Sequence, residues 1–327
     1  MNCRGYIAGI SQKGDFMDFF YKDAFAYDGS DLGIRLSENS ASIMCPAKIN
    51  LFLEITGKRN DGYHTIESVM QRVSLCDRVE VRLGVGKGIS AVCSVPGVPS
   101  GDKNTACVAA EKYLSAAGVS GSVEISIEKI IPVSAGLAGG SADAAGTLAA
   151  LHALIGRVDE HDLAGIALSV GADVPFCLFS VSALCKGVGE RIAPCPSLPD
   201  SFIVIAKHPE EAVSTAEAYR LADSVTLSKN GSHAITEALK KGDIARICSE
   251  MKNDFETVLL HSVPYARKAI AVMKDFSALG TMMSGSGPSV FGIFDDSCKA
   301  ASACDFLASD GYVSFVCRPV GWQRVLP

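Results

Sequence analysis

Apolar residues recur along this chain with two periods. Alternation with polar residues predicts a strand, and recurrence every three or four residues predicts a helix. Residues 49–56 alternate, with Asn50 and Glu54 set among Leu51, Leu53 and Ile55. A turn is expected over residues 57–62, which carry glycine at both ends and Asn60-Asp61 between them. Residues 66–73 and 78–83 read as further strands, and residues 84–101 as a loose stretch rich in glycine, serine and proline. Asn104 is placed to cap a helix reaching about Ala117, with Gly118 past its end. A strand over 123–130 precedes an alanine- and leucine-rich helix over 142–155. Asp162 is placed to cap a helix over 163–170, which Gly171 stops, and residues 172–175 make an abrupt break. Residues 182–190 read as a strand with glycines.

Pro194, Pro196 and Pro199 lie close together and mark the expected domain boundary. Beyond them the pattern predicts a strand over 202–206 and helices over 215–222, 235–241, 244–260 and 265–276. Residues 280–294 read as strand, glycine turn and strand, residues 297–308 as a helix and 313–317 as a last strand. Strands and helices mix without strict βαβ alternation, which indicates an α+β fold rather than a doubly wound parallel sheet. The expected division is an extension over 1–40, a first domain over 41–200 and a second over 201–327. The extension crowds Phe16, Phe19, Phe20, Tyr21, Phe25 and Tyr27 among acidic residues, which suits neither a transit peptide nor a secretory signal. It reads as an amphipathic element docked on the body or as an upstream extension, and Met44 offers an alternative start.

A net charge of −6 leaves no bulk electrostatic footprint for nucleic acid or an anionic membrane. No apolar run has membrane-spanning length. The twelve cysteines are scattered with no C-x-x-C pair, so neither a zinc ribbon nor a thioredoxin-type site is indicated. Most sit in apolar runs, as buried thiols do in a reducing cytosol.

Candidate chemistry gathers between the strand over 123–130 and the helix after it. There lie Pro132, Val133, Ser134, Ala135, Gly136, Leu137, Ala138, Gly139, Gly140 and Ser141. A glycine-rich loop opening a helix lets backbone N–H groups approach an anion at the positive end of the helix dipole. A tight turn with no ligand is the plain alternative. The loop is neither G-x-x-x-x-G-K-[ST] nor G-x-G-x-x-G, which removes P-loop and dinucleotide folds, and protein-kinase signatures are absent. Phosphoryl transfer needs a cradle, charge neutralisation and a group that orients or deprotonates the acceptor. Asp173, in the break before Pro175, is either that base or a cap for turn N–H groups. Lys48, between Ala47 and Ile49, is either the cation or a solvated strand edge.

Residues 45–64 contain P-A-K-I-N-L and end in G-Y-H. They resemble the N-terminal signature of the diphosphocytidyl-methylerythritol kinases, a branch of the galactokinase, homoserine kinase, mevalonate kinase and phosphomevalonate kinase superfamily. Residues 132–145 resemble its glycine-rich ATP motif, 171–175 its aspartate segment and 283–288 its third motif. The resemblance runs from about Cys45 to the C-terminus. It implies a two-domain fold: an N-terminal ribosomal-protein-S5-like domain with a left-handed βαβ crossover, and a ferredoxin-like C-terminal domain. It also implies ATP-dependent phosphorylation of the 2-hydroxyl of 4-diphosphocytidyl-2-C-methyl-D-erythritol in non-mevalonate isoprenoid synthesis, with Mg²⁺ accompanying ATP.

The resemblance makes Asp173 the general base and Lys48 its charge-stabilising neighbour, with Asn50 at the substrate's polyol end. It sets Tyr63 and His64 against the cytidine, with Tyr219 as a second stacking candidate. Asn104 and Lys129 match positions near the adenine. Residues 134–141 wrap the phosphates, and Ser284, Gly285, Ser286 and Gly287 close the site from the other domain. Ala138 departs from a glycine of the superfamily motif and is expected to have negative φ. A cytoplasmic monomer or weak homodimer without nucleic-acid or membrane partners is expected. Two alternatives stay open: another small-molecule kinase of the superfamily, and a non-catalytic ligand-binding relative.

Overall fold

The computed structural model describes residues 34–99 and 101–320. The expectations for residues 1–33 lie outside them. The first strands are β1 (Arg35–Leu36), β2 (Ser40–Lys58), β3 (His64–Gly84) and β4 (Gly88–Cys93). Helix α1 (Thr105–Ala117) leads to β5 (Ser122–Glu128), then α2 (Gly139–Ile155), α3 (Glu160–Val170) and α4 (Val174–Phe179). The hairpin β6 (Ser182–Gly187) and β7 (Arg191–Pro194) follows. Strand β8 (Phe202–Lys207) is succeeded by α5 (Thr215–Ala222), α6 (His233–Lys241), α7 (Ile244–Ser249), β9 (Lys252–Asn253) and α8 (Asp254–Leu259). The chain finishes with α9 (Pro264–Asp275), β10 (Gly280–Met283), β11 (Val290–Phe294), α10 (Ser297–Ser309) and β12 (Val313–Cys317).

Among the described residues there are two sheets. The larger has eight strands with the path β1-β2-β3-β5-β4, and β6 joins it through β3 and β9 through β2. Strand β3 explains why the pattern suggested two shorter strands. One of its edges runs along β2, while the other pairs with β6 over Ile66 to Gln71 and with β5 over Arg78 to Gly84. The residues between change neighbours without leaving the strand. β4 and β5 pair in parallel around α1, so the loose stretch holds the first strand of a βαβ unit. The smaller sheet is antiparallel, in the order β10-β11-β8-β12. With α9 and α10 in the crossovers this is the ferredoxin-like βαββαβ arrangement.

Met44 lies inside β2, and residues before it, Ser40 to Ile43, pair with Val79 to Arg82. Asp159 caps α3, accepting from the Asp162 N–H, so Asp162 sits in the first turn and is not the cap. The helix expected over 244–260 is divided. Lys252 and Asn253 leave helical geometry to pair in parallel with Phe52 and Leu53 of β2.

Burial alternates along the strands and defines three apolar layers. Cys45, Met70, Val79 and Val81 face α1 to α4. Ile49, Leu51, Val69 and Val73 face the other way and pack with Ile203, Ile205, Phe291 and Ile293 of the small sheet. Val204, Ala206 and Phe294 face α8, α9 and α10. Period-two side-chain direction produces this sorting. The middle layer joins the two sheets through a dry core, and truncating one of its isoleucines to alanine costs roughly 2–5 kcal/mol. Helix α2 approaches β2 closely because Gly146 lies against Cys45 and Ile43, where a Cβ would clash with the thiol. That approach sets the helix's N-terminus beside the middle of β2.

Candidate active site

The loop before α2 is fastened by two of its own apolar side chains. Ala135 and Leu137 are buried in the layer between the sheets, while Val133 and Ser134 are exposed. The Leu137 carbonyl accepts the Lys48 N–H at 3.1 Å. Lys48 is free to donate there because β2 shifts register between Pro46 and Lys48, the local re-aiming that a bulge provides. Gly136 has φ +74, and its carbonyl accepts the Ser284 hydroxyl at 3.0 Å. Ala138 has φ +57, in the left-handed region. The expectation of negative φ is corrected. The chain needs this conformation to turn from the loop into the helix, and an alanine there costs about 1–2 kcal/mol. Ala138 offers no side-chain cap, so the first N–H groups of α2, at Gly139, Gly140 and Ser141, are left to solvent or a ligand.

Under this turn lies a buried triad. The Lys129 ammonium donates to Asp77 at 2.5 Å and to Asp143 at 2.7 Å. Asp77 also accepts the N–H groups of Ile130 and Ile131. Burial pushes the Asp143 carboxyl up to about 7, Lys129 opposing and Asp77 adding to the shift. Burial would lower the Lys129 ammonium, but the two carboxylates outweigh it and hold its pKa above the ordinary value. Asn104 caps α1, its Oδ1 accepting from Ala106 and its Nδ2 donating to the Pro99 carbonyl. The next residue, Thr105, donates its hydroxyl to the Gly140 carbonyl at 2.8 Å. The side chains of Lys129 and Asn104 are thus occupied in holding the loop and helix ends.

Asp173 occupies the N-cap position of α4, yet its side chain makes no capping hydrogen bond. Of the two readings left open above, the cap is therefore removed. Its carboxylate faces Lys48, with Nζ and Oδ2 3.6 Å apart. That separation is an ion pair without a direct hydrogen bond. Lys48 is almost fully buried, whereas Asp173 is 30% exposed and open to the cleft. Asn50 accepts from the Lys48 ammonium at 2.7 Å and donates to Ser68 at 2.8 Å, so both ends of its amide are engaged. A Cβ at Gly171 would lie 4.0 Å from the Ser141 hydroxyl, which places the start of α2 next to the aspartate segment.

The loop over 284–287 completes this centre from the smaller sheet. Asn253 donates to the carbonyls of Met283 and Gly285, both at 2.8 Å. Because Asn253 belongs to β9, which pairs with β2, the same strand carries Lys48 and fixes the far loop. Ser286 shares a hydroxyl hydrogen bond with Thr215 at the start of α5.

At the rim of the cleft the His64 ring stacks on Tyr219 with centroids 4.5 Å apart. Burial, with the Asp173 charge adding to it, pushes the Tyr219 hydroxyl up to about 12. His64 Nε2 lies 2.6 Å from Asp223, and Tyr63 is 68% exposed beside it. The fold thus brings Lys48, Asn50, Asp173, residues 134–141 and residues 284–287 together, with His64 and Tyr219 at the rim. Sequence reasoning missed Ser68, Asp77, Asp143, Asp223 and Asn253. Asp143 carried a signal, as a lone carboxylate in an alanine-rich helix; a buried charge needs a partner.

Residues 104–181 match the GHMP kinases N terminal domain and residues 235–313 match GHMP kinases C terminal. A 4-diphosphocytidyl-2-C-methyl-D-erythritol kinase of Caldicellulosiruptor saccharolyticus is 41% identical over 263 residues, covering 80% of this chain and 90% of that protein. One of Clostridium kluyveri is 39% identical over 279 residues, covering 84% and 98%. The crystal structure of a 4-(cytidine 5'-diphospho)-2C-methyl-D-erythritol kinase superposes with a TM-score of 0.72 at 35% identity, covering 86% of this chain and 99% of that one.

Proposed function

The chain belongs to the GHMP kinase family, among its 4-diphosphocytidyl-2-C-methyl-D-erythritol kinases, and from that premise we propose how its residues carry out the reaction. The γ-phosphoryl group of ATP passes to the C2 hydroxyl of 4-diphosphocytidyl-2-C-methyl-D-erythritol, a step of isoprenoid precursor synthesis by the non-mevalonate pathway. The observation that carries the mechanism is the uncapped carboxylate of Asp173 facing Lys48 beside the glycine loop. A tertiary hydroxyl is a weak acid, and Asp173 is placed to take its proton as the bond to phosphorus forms. Lys48, held by Asn50, stabilises the charge that develops on the transferring oxygens. Asn50 acts on the substrate's polyol end through Lys48.

Residues 134–141 receive the ATP phosphates on the free N–H groups at the start of α2. Lys129 and Asn104 support the nucleotide by fixing the loop and α1. Ser284 and Gly285 hold the loop from the opposite side, and Ser286 and Gly287 complete the turn. His64, Tyr63 and Tyr219 receive the cytidine. Mg²⁺ suits the oxygen donors here: it binds few protein groups and keeps most of its waters. Ser141, whose hydroxyl faces the aspartate segment, would hold it, and the ion would neutralise phosphate charge.

We propose residues 41–200 as the ATP-binding domain and 201–327 as the second domain. Each chain carries a whole site, so a monomer or weak homodimer suffices. No helix of the described residues is long and apolar enough to cross a membrane. No disulfide joins the eleven described cysteines, which supports a cytoplasmic setting.

The test is ADP release against a panel of the cytidyl substrate, mevalonate, homoserine and galactose. Turnover with the cytidyl compound is expected. ADP release with mevalonate and none with the cytidyl compound would overturn the reading.

A further inference from the structure

Four side chains meet where the β2–β3 hairpin touches α5. Lys58 and His64 are direct cross-strand partners at the open end of the hairpin. Tyr219 lies on α5, and Asp223 follows four residues later at its C-cap, so the two point to one side of the helix. The His64 ring lies flat on Tyr219, with an interplanar angle of 13°. Asp223 bridges the other two, with Oδ2 2.5 Å from the Lys58 ammonium and Oδ1 2.6 Å from His64 Nε2. His64 Nδ1 makes no hydrogen bond among the described residues, and the imidazole is only 9% exposed.

A carboxylate accepts hydrogen bonds and cannot donate one. Hydrogen bonding to Lys58, and then to His64, holds the Asp223 carboxyl below the usual range, so it is ionised at neutral pH. A neutral imidazole facing it must carry its proton on Nε2. Nδ1 is then a lone pair lying in the ring plane, an acceptor for an N–H at the edge of a base.

We propose that Asp223 is the residue that sets base specificity. By fixing the Nε2–H tautomer of His64 it makes Nδ1 an acceptor for the exocyclic amine of cytosine. It thereby rejects uracil, which presents a carbonyl oxygen at the same edge. Asp223 is a positioning residue, since it acts through His64. The inference rests on the reading that His64 faces the cytidine. Tyr219 gives the imidazole a fixed plane, and the stack leaves its edge rather than its face to the ligand. Lys58 keeps Asp223 ionised and aligned.

The substitution Asp223→Asn tests this with a change of sign. Lys58 can only donate, so it takes the amide oxygen and turns the amide N–H₂ toward His64 Nε2. Nε2 must then accept, and the proton moves to Nδ1. Steady-state kinetics at pH 8 would compare the cytidyl substrate with its uridyl counterpart, in the unaltered enzyme and in D223N. A site built to pair a polar group discriminates strongly against the mismatched analogue. The unaltered enzyme is therefore expected to prefer the cytidyl compound by at least about 100-fold in kcat/KM. In D223N that ratio should fall by roughly tenfold or more, with KM for ATP unchanged. Equal losses on both substrates, leaving the ratio intact, would overturn the proposal.

Nitrogen-15 NMR of His64 in the unaltered protein supplies a readout that does not depend on the variant's folding. The Nε2–H tautomer is expected, and an Nδ1–H tautomer would also overturn the proposal. Failure of the functional reading looks different, since the unaltered enzyme would then not turn over the cytidyl compound at all.

Discussion

Gly136 and Ser284 meet so closely that a Cβ on Gly136 would fall on the Ser284 carbonyl oxygen. The contact is the direct seam between the glycine loop and the loop of the smaller sheet, and the Ser284 hydroxyl closes it from the other direction. Gly136→Ala adds both this clash and a strained positive φ. A loss of about 1–3 kcal/mol of stability is expected, with a fall in kcat/KM for ATP larger than any change in KM for the acceptor. Thermal melting and steady-state kinetics check this. Unchanged kinetics would mean that the seam does not set the loop.

Ala138 is a local misfit that the fold tolerates. Its left-handed backbone suits glycine. Ala138→Gly relieves the strain but gives the unfolded chain more freedom, so the gain is less than the strain itself. Stability should rise by roughly 0.5–1 kcal/mol, measured as an increase in the urea midpoint at constant slope.

The Lys129 ammonium separates two buried carboxylates. Removing it in Lys129→Met leaves Asp77 and Asp143 uncompensated, at a cost of about 3–5 kcal/mol. Adding Asp143→Asn removes one of the stranded charges, so the double variant is expected to be more stable than Lys129→Met alone. Denaturant unfolding of both variants decides this. Additive losses would show that the three groups do not act as a unit.

Local signals in the sequence found what is held locally. The Asn104 cap, the Gly118 stop and the turn into α2 each depend on a few neighbouring residues, and each was legible. The break in the helix expected over 244–260 depends on pairing with β2, about two hundred residues away in the chain. Nothing in Lys252-Asn253 announces that pairing. Asp159 and Asp162 are both good caps by residue type, and the helix begins at Glu160, so the first of them serves. The site divides in the same way. The glycine loop, Lys48 and Asp173 were visible as motifs. Asn253, Ser68 and Asp223 act only through contacts that the fold creates, and no periodicity marks them.

Asp173 carries the central claim, because its carboxylate faces Lys48 while neither capping its helix nor hydrogen-bonding that lysine directly. Asp173→Asn keeps the shape and removes the base. The direct measurement is ADP release by this variant with the cytidyl substrate, run alongside an ATP-binding titration. A loss of about 10²–10⁴-fold in kcat with ATP affinity nearly unchanged is the expected result. Near-normal turnover in the variant would contradict the account.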